Sequence, residues 1–324
     1  KPFRLFLQRW GGEGGPLRCG DHVEARLRRR AEDQGGAFFE SAAGEEIFVR
    51  TKDTGPLTQG AATTLLIVTE ARSGKLARGK LAARGEESAA PALEQWAARL
   101  NGEIEAAAGP VDYDRVESAF VEALAPWCPL PGGGNIGIER TRALTAVDID
   151  TAGRQSKGSA GARAFSVNRE AVAETARQLS LRNLGGLVVL DCIAPITAAT
   201  AEKLKTGLVR SFSDYSPRRI DALKPSAFGL LEAQLEWAEA PIADRILDAS
   251  GLMTPEAELL ALFRAAARET AANRSGFYRL TLSGRALPAY IARRKQCDQL
   301  LREAFSGRVS IASGKGEKSV VRKE

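Results

Sequence analysis

Two apolar segments that each carry aspartate, joined by a loop and a helix-like stretch, constrain the fold of this chain more than any other feature. The first is "ALTAVDID" (143–150) and the second is "GGLVVLDCI" (185–193). Between them lie a Gly/Ser-rich basic loop and "NREAVAETARQLSLRN", whose apolar residues recur at helical spacing and for which Asn168 is the predicted N-cap. Strand, helix and strand in this order predict a βαβ unit with parallel strands and a right-handed crossover. "NIGIERT", just before, is predicted to form a β-hairpin with the first strand, so the region is α/β.

This topology places two aspartates, Asp148 and Asp191, near the carboxyl ends of neighbouring strands, where α/β sheets hold their functional sites. Two carboxylates brought that close repel each other unless a cation lies between them, and hard oxygen ligands suit Mg²⁺ or Mn²⁺. Asp150 follows two residues after Asp148 on the same strand face, as a third ligand or a group that orients the ligands. The pattern alone leaves two interpretations open, a metal site and a solvated strand end.

The composition limits the chemistry and the partners. The chain has one histidine, His22, so a multi-histidine metal site is excluded and catalysis should use carboxylates, lysines, arginines or a metal. A net charge of +6 and a pI near 9.2 favour an anionic partner such as nucleic acid. The four cysteines lie far apart without a CxxC pair, which favours a reduced cytoplasmic protein and gives no zinc motif. No apolar run is long enough for a membrane span, and the first residues lack a signal-peptide core, so we expect no membrane association.

Short β-type runs from Gly20 to about Ala83 predict four or five strands, which fit a small barrel of the OB type with basic edges. Two interpretations of Phe38 and Phe48 stay open: a base-stacking pair on the barrel surface, or part of the barrel core. After the βαβ unit we expect a helix around Ala198–Phe212 and a strand at "RRIDALKP". "TPEAELLALFRAAARETAAN" predicts a further helix with Thr254 as its N-cap.

Three segments of the chain resemble the catalytic core of the ribonuclease E/G family. They are "GGGNIGIERTRALTAVDIDTAG", "AFSVNREAVAETARQLSLRNLGGLVVLDCI" and "FGLLEAQ", in the family's order and at its spacing. The preceding region resembles the family's S1 (OB-type) domain through the ten-residue separation of Phe38 and Phe48 and the lysine, Lys75, of "RSGK". The resemblance implies an endoribonuclease that hydrolyses phosphodiester bonds in single-stranded RNA with a metal ion and leaves a 5′ phosphate.

Carried over to this chain, the resemblance implies that Asp148 and Asp191 bind the catalytic Mg²⁺, with Mn²⁺ as an alternative. Asp150 stands where the family usually has an asparagine that hydrogen-bonds the first aspartate. The resemblance further implies that single-stranded RNA is held by the S1-domain positions Phe38, Phe48 and Lys75. The loop after the first aspartate strand would either contact RNA phosphates or be a solvated connector. The basic residues of this loop are Arg154, Lys157 and Arg163. Arg177 or Arg182 could assist in the RNA contact.

The chain also departs from the family's pattern. No counterpart of the 5′-monophosphate sensor insertion is visible, so we expect cleavage that ignores the 5′ end. The zinc-linking CPxC motif expected after the "FGLLE" helix is missing, so we expect neither zinc nor a zinc-linked tetramer, and a homodimer stays open. Two residues depart from the family's pattern near the site: Asp150 replaces an asparagine, and Ala227 replaces the arginine of "SRFG". Because both changes alter the charge at the site, a catalytically weak or inactive RNA-binding relative is the alternative. A metal-dependent phosphatase or DNA nuclease would share the carboxylates but would not explain the barrel.

The predicted fold is therefore an α/β catalytic domain with an N-terminal S1-like OB β-barrel and a small α+β C-terminal domain. The predicted boundaries are 1–17 for an N-terminal strand segment, 18–84 for the barrel, 85–131 for a helical linker region, 132–240 for the metal-dependent nuclease core, and 241–324 for the C-terminal domain, whose role would be packing or dimer contact.

Overall fold

The structure, a computed structural model, describes residues 1–7, 16–72, 74–83, 92–152, 154, 158–314 and 320–323. The chain folds into two compact units. The first comprises Lys1–Glu103 and Glu122–Ile242, and the second comprises Ile104–Val121 and Ala243–Glu324.

A closed five-stranded barrel opens the first unit, with the strand order β1-β2-β3-β5-β4. Apolar and polar residues alternate along the strands, so that one set of side chains fills the barrel while the other faces outward. Leu27, Phe39, Ile47 and Leu65 are among the fully buried interior residues. The predicted small barrel is thus confirmed; its strands are β1 His22–Ala31, β2 Gly36–Ser41, β3 Glu46–Arg50, β4 Ala62–Thr69 and β5 Ala77–Leu81.

A six-stranded sheet with two long helices forms most of the rest of the first unit. The strand order is β10-β11-β9-β8-β7-β6, with β8 and β9 parallel and the other neighbours antiparallel. The predicted hairpin and the parallel βαβ unit are both confirmed. The elements from α1 to β11 are α1 Ala92–Ala98, α2 Pro110–Leu124 (most of which belongs to the second unit), β6 Trp127–Pro129, β7 Asn135–Arg140, β8 Leu144–Asp150, α3 Ala160–Leu181, β9 Gly186–Asp191, α4 Ala198–Tyr215, β10 Ile220–Ala222 and β11 Leu230–Leu235.

Helices α3 and α4 cover one face of this sheet. Alternate strand residues such as Val147 and Leu190 pack there against Val172, Leu204 and other helix residues in one apolar core. The strand residues that alternate with these buried ones, including Asp148 and Asp191, point to the opposite face of the sheet, where the side chains are partly or fully exposed. The helices therefore bury one face of the sheet and leave the carboxylates on the other.

The structure corrects several local predictions. Helix α3 begins at Ala160 with Ser159 as its N-cap, so Asn168 is not a cap but lies inside the helix. "FGLLE" is not helical: Leu230–Leu235 forms β11, because Leu231 and alternate residues after it bury against the sheet core while the backbone pairs with β9. Because β6 belongs to the same sheet, the sheet begins before the predicted boundary at 132.

Of the N-terminal strand segment predicted for 1–17, residues 1–7 form no strand, and 8–15 lie outside the described residues.

The second unit contains a helical layer and a three-stranded sheet of order β13-β12-β14. Thr254 caps helix α6 as predicted, accepting a hydrogen bond from the Ala257 amide. Nowhere in the described ranges is a helix both long and apolar enough for a bilayer span. The remaining elements are α5 Ile242–Ile246, α6 Pro255–Ala272, β12 Tyr278–Leu282, α7 Ala286–Ala292, α8 Arg294–Phe305, β13 Val309–Ser313 and β14 Val320–Lys323.

Candidate functional site

Asp148 and Asp191 stand level with each other on neighbouring parallel strands. Val147 on β8 pairs with Leu190 on β9, so the next residue on each strand is one of these aspartates. Both carboxylate-bearing residues are exposed, whereas Val147 and Leu190 are buried beneath them. Because side chains alternate along a strand, both carboxylates project from the same open face of the sheet. The two aspartates were predicted to lie near the ends of neighbouring parallel strands, and the register of β8 and β9 places them there.

Asp150 lies on the same face but is already engaged with its own loop. Its Oδ1 accepts a hydrogen bond of 2.8 Å from the backbone N–H of Ala152, which closes the turn after β8. Asn135 is its partner on β7, and the residue is partly buried. This contact ties one oxygen of Asp150 to the backbone.

The two aspartates are chemically suited to a divalent cation. Among the described residues, no arginine or lysine side chain forms an ion pair with the carboxylate of Asp148 or of Asp191. No group of three or more Asp, Glu, His or Cys among the described residues could hold a metal. Magnesium commonly binds through one or two carboxylates and keeps water and substrate phosphate as its other ligands. Asp148 and Asp191 therefore fit Mg²⁺ as a partial, oxygen-only ligand set.

A thiol ligand from the neighbouring residue does not fit this arrangement. Cys192 follows Asp191 directly, but its side chain is buried. Burial, together with the charge of Asp191, raises the pKa of the Cys192 thiol to about 12. The thiol stays protonated at neutral pH, and protonated thiols are poor ligands and nucleophiles.

Arg154, predicted to contact RNA, pairs with Glu170 of α3. Its guanidinium donates to both carboxylate oxygens at 2.9 and 2.7 Å and also to the Gly133 carbonyl, and its side chain is only 6% exposed. Glu170 accepts a further hydrogen bond from the N–H of Gly132. The Arg154 guanidinium, with help from the Gly132 N–H, holds the pKa of the Glu170 carboxyl below its usual value. This pair joins the turn before β7, the loop after β8 and helix α3.

The other basic residues of the prediction fall into two groups. Arg163 is exposed at the start of α3 and donates to the Gly158 carbonyl, whereas Lys157 lies outside the described residues. Arg177 and Arg182 are buried: the first pairs with Glu174, and the second donates to backbone carbonyls including that of Ala125. Their contacts give both buried arginines a structural role, and the phosphate contacts of Arg154, Lys157 and Arg163 stay predictions.

Asn168, which sequence patterns identified only as a cap, supports the end of the second aspartate strand. The residue is 1% exposed, and its side-chain amide donates to the Ile193 carbonyl at 2.8 Å and accepts from the Ile193 N–H at 2.9 Å. Ile193 follows Asp191 by two residues, so α3 fixes the backbone just beyond that carboxylate. A polar residue among apolar ones on the inner side of a helix was the available signal for this role.

Phe38 and Phe48 are directed away from the barrel interior, but Phe38 is only 8% exposed and Phe48 is partly buried. They face each other across β2 and β3, with ring centroids 5.4 Å apart in an edge-to-face arrangement. The strand residues that fill the barrel are their neighbours, such as Phe39 and Ile47. A Cβ on Gly36 would lie 2.4 Å from the Phe48 ring, so glycine makes room for the ring across β2. The register directs both rings away from the barrel interior, while the burial of Phe38 leaves the base-stacking interpretation a prediction.

Two arginines lie beside the two rings. The Arg29 guanidinium lies 3.9 Å from the centroid of Phe38, and Arg78 is the register partner of Phe48 on β5. Burial and the nearby Arg50 lower the pKa of Arg78, which donates to the Thr69 hydroxyl. Lys75, in the turn before β5, is exposed. Aromatic faces flanked by cations are the surface that single-stranded nucleic acid requires.

The barrel is attached to the sheet through Glu70 and Trp237. Glu70 accepts hydrogen bonds from the N–H groups of Ala240 at 2.8 Å and Cys19 at 3.2 Å. The guanidinium of Arg72 stacks on Trp237 at 4.2 Å. A Cβ on Gly186, the first residue of β9, would meet the Trp237 ring at 3.1 Å. The barrel thus adjoins the end of β9 opposite to Asp191.

Comparison with known proteins shows that part of the chain is similar in sequence to one protein family. A sequence model described as the Ribonuclease E/G family matches residues 85–234. Ribonuclease E of Escherichia coli (strain K12) is 36% identical over 158 residues, which cover 49% of this chain and 14% of that protein. Ribonuclease E of Buchnera aphidicola (subsp. Acyrthosiphon pisum) is 38% identical over 120 residues, covering 37% of this chain and 13% of the relative.

Ribonuclease G of Salmonella typhimurium is 41% identical over 81 residues, or 25% of this chain and 16% of the relative. The matched part of the chain therefore spans less than a fifth of the length of each of these three relatives.

Proposed function

The chain belongs to the ribonuclease E/G family, and we propose on this premise that it is a metal-dependent endoribonuclease acting on single-stranded RNA, in RNA processing or decay. One observation carries the proposal: Asp148 and Asp191 are level on neighbouring parallel strands and exposed on one face. The relatives named ribonuclease E and ribonuclease G support RNA as the substrate. Because they are matched over a small part of their length, the activity is proposed for this chain on its own residues.

Asp148 and Asp191 would hold Mg²⁺, with Mn²⁺ as the alternative. When bound, the ion lowers the pKa of a water molecule and stabilises negative charge on the phosphate. The chain itself holds the backbone next to each carboxylate. The turn closed by Asp150 follows Asp148, and the hydrogen bonds between Asn168 and Ile193 hold the backbone just after Asp191. None of these roles requires histidine, in keeping with the single His22.

We assign the barrel as an S1-like OB-type domain that grips single-stranded RNA. Phe38 and Phe48 would stack on bases, and Lys75 would contact a phosphate. Support comes from the direction of both rings, away from the barrel interior, and from the arginines beside them, Arg29 and Arg78. Stacking on an aromatic face is tolerant of sequence because every base offers a π-face.

The loop between β8 and α3 is the third proposed RNA contact. Arg163 and Lys157 are the residues we propose there for backbone phosphates, and Arg163 is exposed at the helix start. Arg154 stays a candidate, although its pairing with Glu170 supports a role in holding the loop.

Three further properties are part of the proposal. Cleavage should be independent of the 5′ end, because the sequence carries no visible counterpart of the sensor insertion. A homodimer is compatible with the chain, whereas a zinc-linked tetramer is not expected. A reducing, cytoplasmic compartment is supported by the described cysteines, all of which are free.

A catalytically weak or inactive RNA-binding relative is the second candidate function. The observation that favours it is Asp150, which stands in place of an asparagine and adds a negative charge beside Asp148. An additional carboxylate changes the charge balance that a bound cation and phosphate experience.

The test compares cleavage of a fluorescent A/U-rich single-stranded RNA in Mg²⁺ by the wild type and by the Asp148→Asn, Asp191→Asn double variant. We expect cutting by the wild type, at equal rates on RNA with a 5′ monophosphate or a 5′ hydroxyl, and a loss of at least about a hundredfold in the double variant. Glu139→Gln, an exposed carboxylate on the same sheet, is the matched control and should cut normally. Binding without cutting, identical in wild type and double variant, would establish the inactive relative instead.

A further inference from the structure

Two exposed aromatic residues lie on either side of the carboxylate pair, Trp127 on strand β6 and Phe228 in the turn before β11. Trp127 is 51% exposed and Phe228 is 88% exposed. Neither residue has a role in the proposed grip of the barrel or in holding a cation.

Trp127 lies in the same cross-strand row as Asp148. On β6 it pairs with Gly137 of β7, and Gly137 pairs in turn with Asp148 of β8. A Cβ on Gly137 would lie only 2.7 Å from the indole Cζ3 atom, so the ring covers this glycine. Any larger residue at 137 would displace the ring. The indole therefore extends over β7, the strand that separates it from Asp148.

Phe228 lies at the other end of this row, beside Asp191. Its turn is closed by a hydrogen bond of 2.9 Å from the Gly229 N–H to the Ser226 carbonyl. A Cβ on Gly229 would lie 3.9 Å from Oδ1 of Asp191, and Leu230 is the register partner of Asp191. The turn therefore lies against the carboxylate, and Phe228 projects from it into solvent.

We propose that Trp127 and Phe228 form an aromatic bracket that stacks on the bases on the two sides of the phosphate held at Asp148 and Asp191. The proposal rests on the proposed function, because single-stranded RNA presents unpaired bases beside each phosphate. Stacking does not depend on charge, so it supplies attraction at a surface whose carboxylates repel phosphate. The bracket fixes position and tolerates any base, since each base has a π-face.

The charge of the face argues against a second copy of this chain as the occupant. Glu232 is directed to the same face as Asp191, because it pairs with Val189, two residues earlier on β9. A second copy docked on this face would bring its own Asp148, Asp191 and Glu232 against the same carboxylates. Like charges placed together at an interface oppose association.

The test uses short oligouridylates in Mg²⁺ that carry one 2-aminopurine on either side of the cut phosphate. Stopped-flow fluorescence records stacking in the binding phase, before cleavage, for the wild type, Trp127→Leu and Phe228→Leu. Phe277→Leu, an exposed phenylalanine of the second unit, is the matched control. Steady-state kinetics on the same RNA, and on RNA with an abasic site at each position, complete the set.

We expect quenching by the wild type and by the control variant. Each bracket variant should lose the quench at one of the two positions, bind about tenfold more weakly and raise KM with kcat within about twofold. An abasic site at the matching position should weaken the wild type by the same factor and leave that variant unchanged.

Equal quenching by all four proteins would overturn the proposal, as would a fall in kcat at unchanged KM. So would a wild-type dimer in sedimentation that both bracket variants abolish without any change in quench. If the bracket variants lose the quench but no protein cuts RNA, the bracket stands and the proposed endoribonuclease function fails. If all variants bind and cut normally, the function stands and the bracket fails.

Discussion

Glu170 is the residue on which three segments around the carboxylates converge. It accepts hydrogen bonds from Arg154, in the loop after β8, and from the N–H of Gly132, in the turn before β7. The depressed pKa of its carboxyl means that the folded protein favours the ionised form more than the unfolded chain does. The pairing therefore contributes stability above the ordinary glutamate pKa of 4.5, and this contribution is lost as the pH falls through the lower, folded value.

We predict that Glu170→Gln lowers the free energy of unfolding at pH 7 and that the difference from the wild type is smaller at an acid pH well below the ordinary glutamate pKa of 4.5. The reason is that the wild-type carboxyl becomes protonated as the pH falls through its lowered, folded pKa, and it then lacks the same ionic hydrogen bonds as the variant. Urea unfolding at the two pH values measures the change, with the exposed Glu139→Gln as control. A difference of the same size at both pH values would show that the ionised form has no special role.

The same residue explains why the loop arginine was hard to interpret from the sequence. A basic residue in a Gly/Ser-rich loop indicates a solvated or ligand-binding side chain, and nothing in one sequence connects Arg154 to Glu170 across sixteen positions. The two aspartates differ in this respect, because the βαβ order alone dictates that their strands are parallel neighbours. Asp148 and Asp191 were therefore predictable as a level pair, whereas the partner of Arg154 was not.

At the scale of elements, helix α3 supports strand β9 through Asn168. We predict that Asn168→Leu, of similar size, destabilises the protein by about 1–3 kcal/mol, because the N–H and C=O of Ile193 lose their partner. Urea denaturation followed by circular dichroism measures this change. Arg169→Leu, at the exposed next position of the helix, should change stability by no more than about 0.5 kcal/mol. If the two variants were equally stable, the hydrogen bonds of Asn168 to Ile193 would contribute nothing to the stability of the protein.

The elements that sequence patterns predicted wrongly share a cause. "LLEAQL" consists largely of good helix formers, yet it is β11, because pairing with β9 and burial of Leu231, Ala233 and Leu235 outweigh local propensity. Asn168 resembles a cap because asparagine is favoured there, but its amide is used in a tertiary contact. Strands whose partners are close in the chain, such as the hairpin of β7 and β8, were predicted correctly because local alternation and the turn at Thr141 suffice.

At the scale of the first unit, the Glu70 carboxylate is a polar link between the barrel and the sheet segment after β11. We predict that Glu70→Gln raises the hydrogen-exchange rates of the Ala240 and Cys19 amides about tenfold to a hundredfold. An amide side chain cannot accept both hydrogen bonds, and each bond to a carboxylate contributes about 1.5–3 kcal/mol. Exchange measured by mass spectrometry on peptides covering the two amides reports the change. Glu46→Gln, an exposed carboxylate of β3, should leave both peptides unchanged; unchanged exchange in Glu70→Gln as well would mean that other contacts hold the barrel.

The barrel adjoins one end of β9, and the two carboxylates lie at its other end. From Gly186, under the Trp237 ring, to Asp191 the strand spans about 16 Å at ~3.3 Å per residue. At a stacked rise of ~3.4 Å per nucleotide, this length corresponds to about five nucleotides. An RNA gripped near Arg78 and cut at Asp191 would then be severed at a set distance from the captured base. On the proposed function, the distance from the captured base to the cut would be set by the length of a strand rather than by the sequence at the cut.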